Sequence, residues 1–438
     1  MPPPSGVYWK EAAGLPPVAR RFCRYAEVWT TSDPDAEAFP STERQKDLGR
    51  LVADDLRQSG APDAEMDRWG YVTATLPSPL PPAEAARLPT LGLVAHLDTS
   101  PDAPGRDVRP LVHAAYGGGA VRLAGGVTLD PDRQSALAQH VGHDLVTSDG
   151  TTLLGSDDKA GVAVIVQLAA DLLAAEEDAR RRGERPAPRP TLRLLFTPDE
   201  EVGRGTEKLD LDRFGASVAY TLDGSGTDRI NVETFHAAEA RFTVEGVGVH
   251  PGYAKGVMIN AVRVAAEIVA GLPRDAAPET TDGRDGYLHP HTVEGTAERA
   301  VLRVLLRDFS EAGMEAKRRH VRRLAEAVGG RWPGATVTVE VEESYRNMRQ
   351  YIEAVDPRAI RLAHEAAARI GIALEEEPVR GGTDGARLSE RGLPTPNVFT
   401  GGHDFHSRFE WNTVQNLERS LAYTRSLVQT WGERGAAE

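Results

Sequence analysis

The sequence predicts an α/β protein: a mixed, largely parallel sheet flanked by helices, interrupted by a smaller inserted α+β domain. Three observations predict this fold class. Short apolar runs typical of buried strands alternate with amphipathic helical stretches in the first half of the 438-residue chain. A β-α-β-β-α-β order, as in ferredoxin-like domains, follows in the middle. The alternation of strand and helix then resumes towards the C-terminus, so we expect the main domain to be discontinuous.

The first part of the main domain is expected over residues 1–233. A helix is predicted at about 18–29, and a second helix is expected to open at Ser41, whose side chain would cap it. Residues 101–150 are rich in Gly, Pro and Asp and lack periodicity, which predicts a long surface excursion. The other predicted elements here are a hairpin at 63–76, buried strands at 90–96, 192–197 and 218–222, and a helix at 160–175.

The inserted domain is expected over residues 234–345, with the second part of the main domain at 346–438. Alternating apolar residues predict its strands, and apolar stripes predict its helices. The inserted strands are predicted at 240–247, 291–296, 300–308 and 335–341, and the helices at 257–272 and 311–328. The main domain then resumes with a helix at 357–370 and a strand at 395–400.

Composition excludes several classes of function. The net charge is -14 and no basic stripe is visible, so we expect no nucleic-acid partner. The single cysteine, Cys23, excludes an internal disulfide and a thiolate metal cluster, and we expect a buried thiol. No apolar run is long enough to span a membrane, and the first residues do not resemble a signal peptide. We therefore expect a cytoplasmic protein without a membrane partner.

Five polar segments carry the residues that could do chemistry, and four of them follow predicted strands. In open α/β sheets, ligands bind at the carboxyl ends of the strands. Each segment alone has an ordinary structural explanation as a helix cap, a turn or a solvated loop. The candidate residues within these segments are His96 and Asp98, Asp157, the three carboxylates Asp199, Glu200 and Glu201, Asp223, and a histidine of the last segment, His403 or His406.

Together these segments indicate a metal site. Two histidines and several carboxylates are expected at one edge of the sheet, and no thiolate is available. Mixed histidine and carboxylate ligation suits Zn²⁺, with Mn²⁺ or Co²⁺ as alternatives. A carboxylate shared between two ions would make a two-metal site, which activates water and polarises a carbonyl group.

The same segments resemble a known family. HLDT, LLGSDDKAG, FTPDEEVG, TLDG, VHPGYAKGVMINA, YRNMR and RGGTDGARL occur in this order, followed by FTGG and a closing segment with His and Glu. This series is similar to the peptidase T family of tripeptide aminopeptidases. That family is a branch of the dizinc exopeptidase superfamily, which also contains carboxypeptidase G and acetylornithine deacetylase. The resemblance runs from about Ser41 to near the C-terminus, and the first forty residues do not obviously match.

The resemblance implies two Zn²⁺ ions per subunit and a role for each candidate. His96 and Asp223 would bind one ion, and Glu201 and His406 the other. Asp157 would bridge the two ions. Glu200 would be the general base and then the general acid, and Asp98 would orient His96. The alternative to His406 as the last ligand is His403, in the same segment; the Glu that the family pattern places next, here Glu410, favours His406.

The resemblance also implies residues that contact the substrate. His250, in the inserted lid domain, matches a histidine that stabilises the oxyanion or touches the substrate. Asn347, Arg380 and the turn at 381–384 would shape the peptide pocket.

The implied activity is release of the N-terminal residue from short peptides, chiefly tripeptides. Short peptides are therefore the expected partners, and the resemblance leaves a homodimer open. A deacylase or carboxypeptidase of the same superfamily, or a binding homologue without catalysis, are the alternatives. An N-acetylated substrate separates the first two activities, because an aminopeptidase requires a free amino terminus.

Overall fold

A computed structural model describes residues 6–436. The strands over these residues are β1 (Val7–Tyr8), β2 (Glu65–Met66), β3 (Val72–Leu76), β4 (Leu91–His96), β5 (Leu111–His113), β6 (Val121–Arg122), β7 (Thr128–Leu129), β8 (Leu145–Thr147), β9 (Leu192–Thr197), β10 (Val218–Ser225), β11 (Arg229–Asn231), β12 (His236–Glu245), β13 (Tyr287–Gly295), β14 (Arg299–Asp308), β15 (Thr336–Tyr345), β16 (Glu375–Glu376), β17 (Asn397–Gly402) and β18 (Trp411–Thr413). The α-helices are α1 (Pro17–Ala26), α2 (Gln45–Gln58), α3 (Pro82–Ala85), α4 (Ser156–Arg181), α5 (Leu211–Phe214), α6 (Ala261–Ala270), α7 (Glu311–Arg331), α8 (Arg349–Val355), α9 (Arg358–Arg369), α10 (Asp384–Glu390) and α11 (Val414–Arg434).

The chain divides into two compact units. The smaller unit contains Glu233–Gln350 and Pro378–Gly382, and the larger unit contains the rest. The sequence places the inserted domain at 234–345, whereas the smaller unit also includes Glu233, residues 346–350 and the distant segment Pro378–Gly382. This segment joins the smaller unit because Val379 N–H donates to the carbonyl oxygen of Glu233.

The larger unit is built on an eight-stranded sheet in the order β16-β11-β17-β10-β4-β9-β3-β2. Its centre, from β17 to β9, is parallel, and antiparallel pairs flank it on both sides. The expected mixed, largely parallel α/β sheet is therefore confirmed. Helix α4 packs against this sheet, and its stretch from Ala160 to Ala169 is buried on all sides, because it carries no polar side chain except Gln167.

The register of the central strands places the polar segments at one level. β4 and β9 pair in parallel with His96 beside Thr197, so Glu200 and Glu201 follow just beyond this pair. β10 pairs with β4 with Thr221 beside Val94, which puts Asp223 level with His96. The carboxyl ends of these strands therefore deliver the candidate side chains to one edge of the sheet.

The smaller unit has an antiparallel sheet in the order β13-β14-β12-β15. Helices α6 and α7 pack against this sheet, and the element order is the β-α-β-β-α-β order expected from the sequence. Buried apolar residues from strands and helices form its core, among them Phe242, Leu302, Ala265 and Val321.

Two local predictions are wrong. Ser41 does not cap a helix, because α2 begins at Gln45 and the Ser41 hydroxyl donates to Asp199 instead. Residues 101–150 are not simply a surface excursion, since they contain β5 to β8, and Leu129, Leu137 and Leu145 are buried there. Strands of two or three residues are too short to produce a periodic pattern, which explains the second error. No helix among residues 6–436 is long and apolar enough to cross a membrane.

Candidate metal centre

His96, at the end of β4, lies in a buried cluster of carboxylates. Its Nε2 atom is 2.9 Å from Asp157 Oδ1 and 3.5 Å from Asp223 Oδ1. Its other ring nitrogen, Nδ1, is 3.2 Å from the carbonyl oxygen of Asp98 and 3.3 Å from the carboxylate of the same residue. The sequence-predicted role of Asp98 requires this contact, since an acceptor at one ring nitrogen fixes the orientation of the other.

Asp157 lies between the two candidate histidines. Its Oδ1 atom faces His96, and its Oδ2 atom is 3.1 Å from Nε2 of His406. His406 Nε2 is also 2.8 Å from Glu201 Oε2. One carboxylate with each oxygen directed at a different histidine is the arrangement that a residue shared between two cations needs.

A buried glutamate holds the backbone of the segment that carries Asp157. Glu410 accepts hydrogen bonds from the N–H groups of Leu154, Gly155 and Asp157, at 2.8, 2.8 and 2.9 Å. Asp157 itself has non-helical backbone angles, and its peptide bond to Asp158 is cis. The three hydrogen bonds fix the position of Asp157 next to the segment that carries His406.

Glu200 and Glu201 follow β9 in a turn that Asp98 fixes. The two oxygens of Asp98 accept the backbone N–H groups of Glu200 and Glu201, at 3.0 and 3.1 Å. The side chain of Glu200 accepts a hydrogen bond of 3.2 Å from the N–H of Asp384. Asp98 therefore touches both the His96 ring and the backbone of the two glutamates.

Two groups of three residues could each hold a metal ion, because the potential ligand atoms within each group lie within 4.8 Å of one another. The first group is His96, Glu200 and Asp223, and the second is His96, Asp157 and Glu201. The structure thus brings together every metal ligand expected from the sequence, with Glu200 beside them. Which ion each residue binds stays a prediction.

Burial and mutual repulsion shift the pKa values of these carboxyl groups. Burial raises the pKa of Glu201 to about 8 and that of Asp223 to about 7, and the charge of Asp157 adds to both rises. Burial also raises the pKa of Glu200 well above its usual value. Burial disfavours the charged form of Asp157 too, but hydrogen bonds from His406 and His96 outweigh it and keep that pKa below its usual range. A positive charge beside Glu201 and Asp223 would lower the pKa values of both carboxyl groups again.

The residues present fit a pair of divalent cations. Glu201 Oε1 is buried and has no hydrogen-bond partner among residues 6–436, so a buried acceptor is left for a ligand. The donor set is two imidazoles and three carboxylates, which suits Zn²⁺ and related ions. Cations between these oxygens would also remove the repulsion that raises the pKa values of Glu201 and Asp223.

The structure separates His406 from the alternative, His403. His403 stacks on Trp411 with ring centroids 4.1 Å apart, and it is absent from the carboxylate cluster. Burial lowers the pKa of His403 to about 4, and the neighbouring His140 adds to this effect. His403 therefore packs as a neutral aromatic ring, while His406 faces Asp157 and Glu201.

Several residues around the centre make contacts that the sequence did not reveal. The family pattern marks Glu410, but its three backbone hydrogen bonds have no sequence signal. The N–H of Asp384, in the turn predicted to shape the pocket, donates to Glu200, and the Asp384 carboxylate accepts from Thr197. The ammonium group of Lys159, in the DDKAG segment, is buried and donates to the carbonyl oxygen of Val28 at 2.6 Å.

His250, Asn347 and Arg380 belong to the smaller unit. His250 Nδ1 accepts from the N–H of Gly252, and Asn347 donates to the carbonyl oxygen of Phe309. Arg380 is fixed by the carbonyl oxygens of Gly283 and Asp285 and by the hydroxyl of Thr281. Their predicted contacts with a substrate stay predictions.

Comparison with known proteins gives consistent results. The model of the peptidase family M20/M25/M40 matches residues 154–430. Peptidase T of Geobacillus thermodenitrificans is 39% identical over 416 residues, which cover 94% of this chain and 98% of the relative. Peptidase T of Bacillus subtilis is 40% identical over 406 residues, covering 92% and 96%.

Solved structures share the fold. The aminopeptidase PepT from Bacillus cereus superposes with a TM-score of 0.70 at 20% identity, covering 95% of this chain and 98% of that one. A dinuclear metal-binding peptidase of the M20 family from Bacillus subtilis superposes with a TM-score of 0.63 at 16% identity, covering 95% and 98%.

Proposed function

Because this chain belongs to the peptidase family M20/M25/M40, we propose that the buried centre hydrolyses the first peptide bond of short peptides, chiefly tripeptides. The chain is a hydrolase of the peptidase T type, which confirms the resemblance found in the sequence. Relatives are described as peptidase T, and a structural neighbour from Staphylococcus aureus, 17% identical with a TM-score of 0.70, as a tripeptidase.

The observation that carries this proposal is the position of Asp157 between His96 and His406. We infer that His96 and Asp223 hold one cation, Glu201 and His406 the other, and that Asp157 is shared. Zn²⁺ is the proposed ion. Bound there, the pair supplies Lewis-acid polarisation of the scissile carbonyl group and lowers the pKa of water.

Glu200 is the proposed general base. Its carboxylate lies within 4.8 Å of the ligand atoms of His96 and Asp223, and in this proposal it acts as the base and not as a ligand. The Asp384 N–H fixes one carboxylate oxygen and leaves the other available. Glu200 takes a proton from the attacking water and gives it to the amine of the departing peptide fragment. No other residue is needed to carry this proton between the two steps.

Residues of the smaller unit are proposed to bind the substrate. His250 would stabilise the negative charge on the carbonyl oxygen. Arg380 donates to three oxygens of its own unit, which orients the guanidinium and leaves further N–H donors for a substrate carboxylate. Asn347 is also proposed to shape the peptide pocket. The oligomeric state and the cytoplasmic location stay predictions.

The alternatives receive less support. A deacylase or carboxypeptidase would use the same metal ligands, but the relatives over nearly the whole chain are described as peptidase T. A binding homologue without catalysis would not need a positioned Glu200. Neither alternative is favoured.

Peptide length tests the proposed substrate class. We expect kcat/KM for an unblocked tripeptide to exceed that for the matching dipeptide and tetrapeptide by about tenfold or more, since a site that pairs both ends of a peptide rejects other lengths. Alanine peptides of two to four residues, assayed by release of free alanine, provide the comparison. Equal kcat/KM values for all three lengths would contradict a tripeptide-selective site.

A further inference from the structure

Asp199, the residue before the two glutamates, has an unusual backbone conformation. Its φ is 57°, in the left-handed region, and its side chain is fully buried. A residue other than glycine rarely adopts this conformation, and it persists only where the surrounding structure holds it. The backbone of Asp199 leads directly into Glu200, so whatever holds Asp199 also sets the direction of the base.

Gln45, the first residue of α2, and Ser41, which precedes the helix, hold Asp199. Gln45 pairs with it twice: Nε2 donates to Asp199 Oδ1 at 2.6 Å, and Oε1 accepts the Asp199 N–H at 3.0 Å. Ser41 also pairs with it twice, since its N–H donates to Oδ2 at 2.6 Å and its hydroxyl donates to Oδ1 at 2.5 Å. Both residues are buried, as is Asp199.

The turn that carries Glu200 and Glu201 is therefore held from two sides. Asp98 accepts the N–H groups of Glu200 and Glu201 after the left-handed residue. Gln45 and Ser41 hold the residue before it. Without Gln45, Asp199 loses one partner of its carboxylate and the partner of its N–H, and the left-handed conformation is no longer fixed at that residue.

We propose that Gln45, supported by Ser41, is a positioning residue that acts through Asp199 to hold Glu200 in its catalytic orientation. The proposal rests on the proposed role of Glu200 as the base. It assigns a catalytic purpose to a helix that contributes no ligand to the centre. The side-chain hydrogen bonds of Gln45 go to Ser41, Thr42 and Asp199, none of which is a proposed ligand of the centre, so its effect passes through the backbone at Asp199.

The variant Gln45→Ala tests this role. We expect kcat to fall by about ten- to a hundredfold, because a small displacement of a catalytic group has this effect on rate, while KM and metal content stay within about twofold. Gln58→Ala is the matched control, since Gln58 ends the same helix and is exposed. A kcat of Gln45→Ala equal to that of the control would overturn the proposal.

Combining Gln45→Ala with the substitution Asp199→Gly shows whether Gln45 acts through Asp199. Glycine adopts the left-handed conformation without cost, so Asp199→Gly removes both the carboxylate and the need to hold it. In that background, Gln45→Ala should lower kcat by less than about twofold, as expected for residues that act as one unit. An undiminished loss would show that Gln45 acts by another route, and the proposal would fail.

Hydrogen exchange separates this proposal from the proposed function. In Gln45→Ala, the peptide containing Glu200 and Glu201 should exchange its amide hydrogens faster, with no change in β4. Unchanged exchange at the glutamates would overturn the positioning role whatever the activity of the protein. A wild type that hydrolyses no peptide, with faster exchange in the variant, would instead refute the proposed function and support the hold on the turn. If Gln45→Ala does not fold, Ser41→Ala is the substitute. It removes the hydroxyl that donates to Asp199 and accepts from the Asp33 N–H and from Gln45, but keeps the Ser41 N–H that donates to Asp199. It should show the same changes to a smaller degree.

Discussion

Replacing Glu200 by glutamine is expected to lower kcat by about 10²- to 10⁴-fold, the contribution of a positioned general base. Glutamine keeps the size of the side chain and can still accept the hydrogen bond from the Asp384 N–H. It cannot take a proton from water. Because Glu200 is not a proposed ligand, the bound metal should remain at two ions per chain and KM should change little.

The control for this variant is Glu207→Gln. Glu207 lies a few residues further along the same loop and is largely exposed, paired with Lys208 and Arg204. Steady-state rates on one unblocked tripeptide give kcat and KM, and elemental analysis gives the metal content. A Glu200→Gln variant with more than half of the wild-type kcat would show that another group moves the proton.

Replacing His406 by alanine is expected to reduce the bound metal from two ions to one per chain and to lower kcat by at least about a hundredfold. His406 Nε2 is the nitrogen that faces both Asp157 and Glu201. Without this nitrogen, one cation site keeps only carboxylate ligands. Replacing a residue that merely supports a metal ligand lowers metal affinity or activity by about 10- to 100-fold, so a larger loss is expected for a direct ligand.

His403→Phe is the comparison variant, because phenylalanine can keep the stacking on Trp411. It should retain two ions and a kcat within about threefold of the wild type, as expected for the replacement of a neutral packed ring. If His403→Phe loses an ion and His406→Ala does not, the assignment of the last ligand must be exchanged between the two histidines.

The sequence was sufficient to predict the sheet edge at which the centre lies. The apolar runs before His96, Glu200 and Asp223 are central parallel strands, and strands of this kind are buried on both faces and stand out in the sequence. Since parallel strands end at the same edge, the polar residues that follow them could be expected together.

The supporting contacts could not be predicted in this way. Ser41 reads locally as a helix cap, yet its partner, Asp199, is distant in the sequence. Glu410 and the segment at 154–157 are likewise far apart in the sequence but in contact in the structure. Pro378–Gly382 is also distant in the sequence from the rest of the smaller unit that it joins. Periodicity and capping patterns describe neighbours along the chain, whereas these pairings arise only when the sheet has formed.

The most direct test of the proposed activity is product analysis by mass spectrometry with one tripeptide in two forms. The purified, zinc-loaded protein is given the unblocked peptide and its N-acetylated counterpart in parallel. We predict that the unblocked form yields its N-terminal amino acid and the remaining dipeptide, while the acetylated form stays intact. Cleavage of the acetylated form alone would contradict the proposed function and indicate a deacylase or carboxypeptidase.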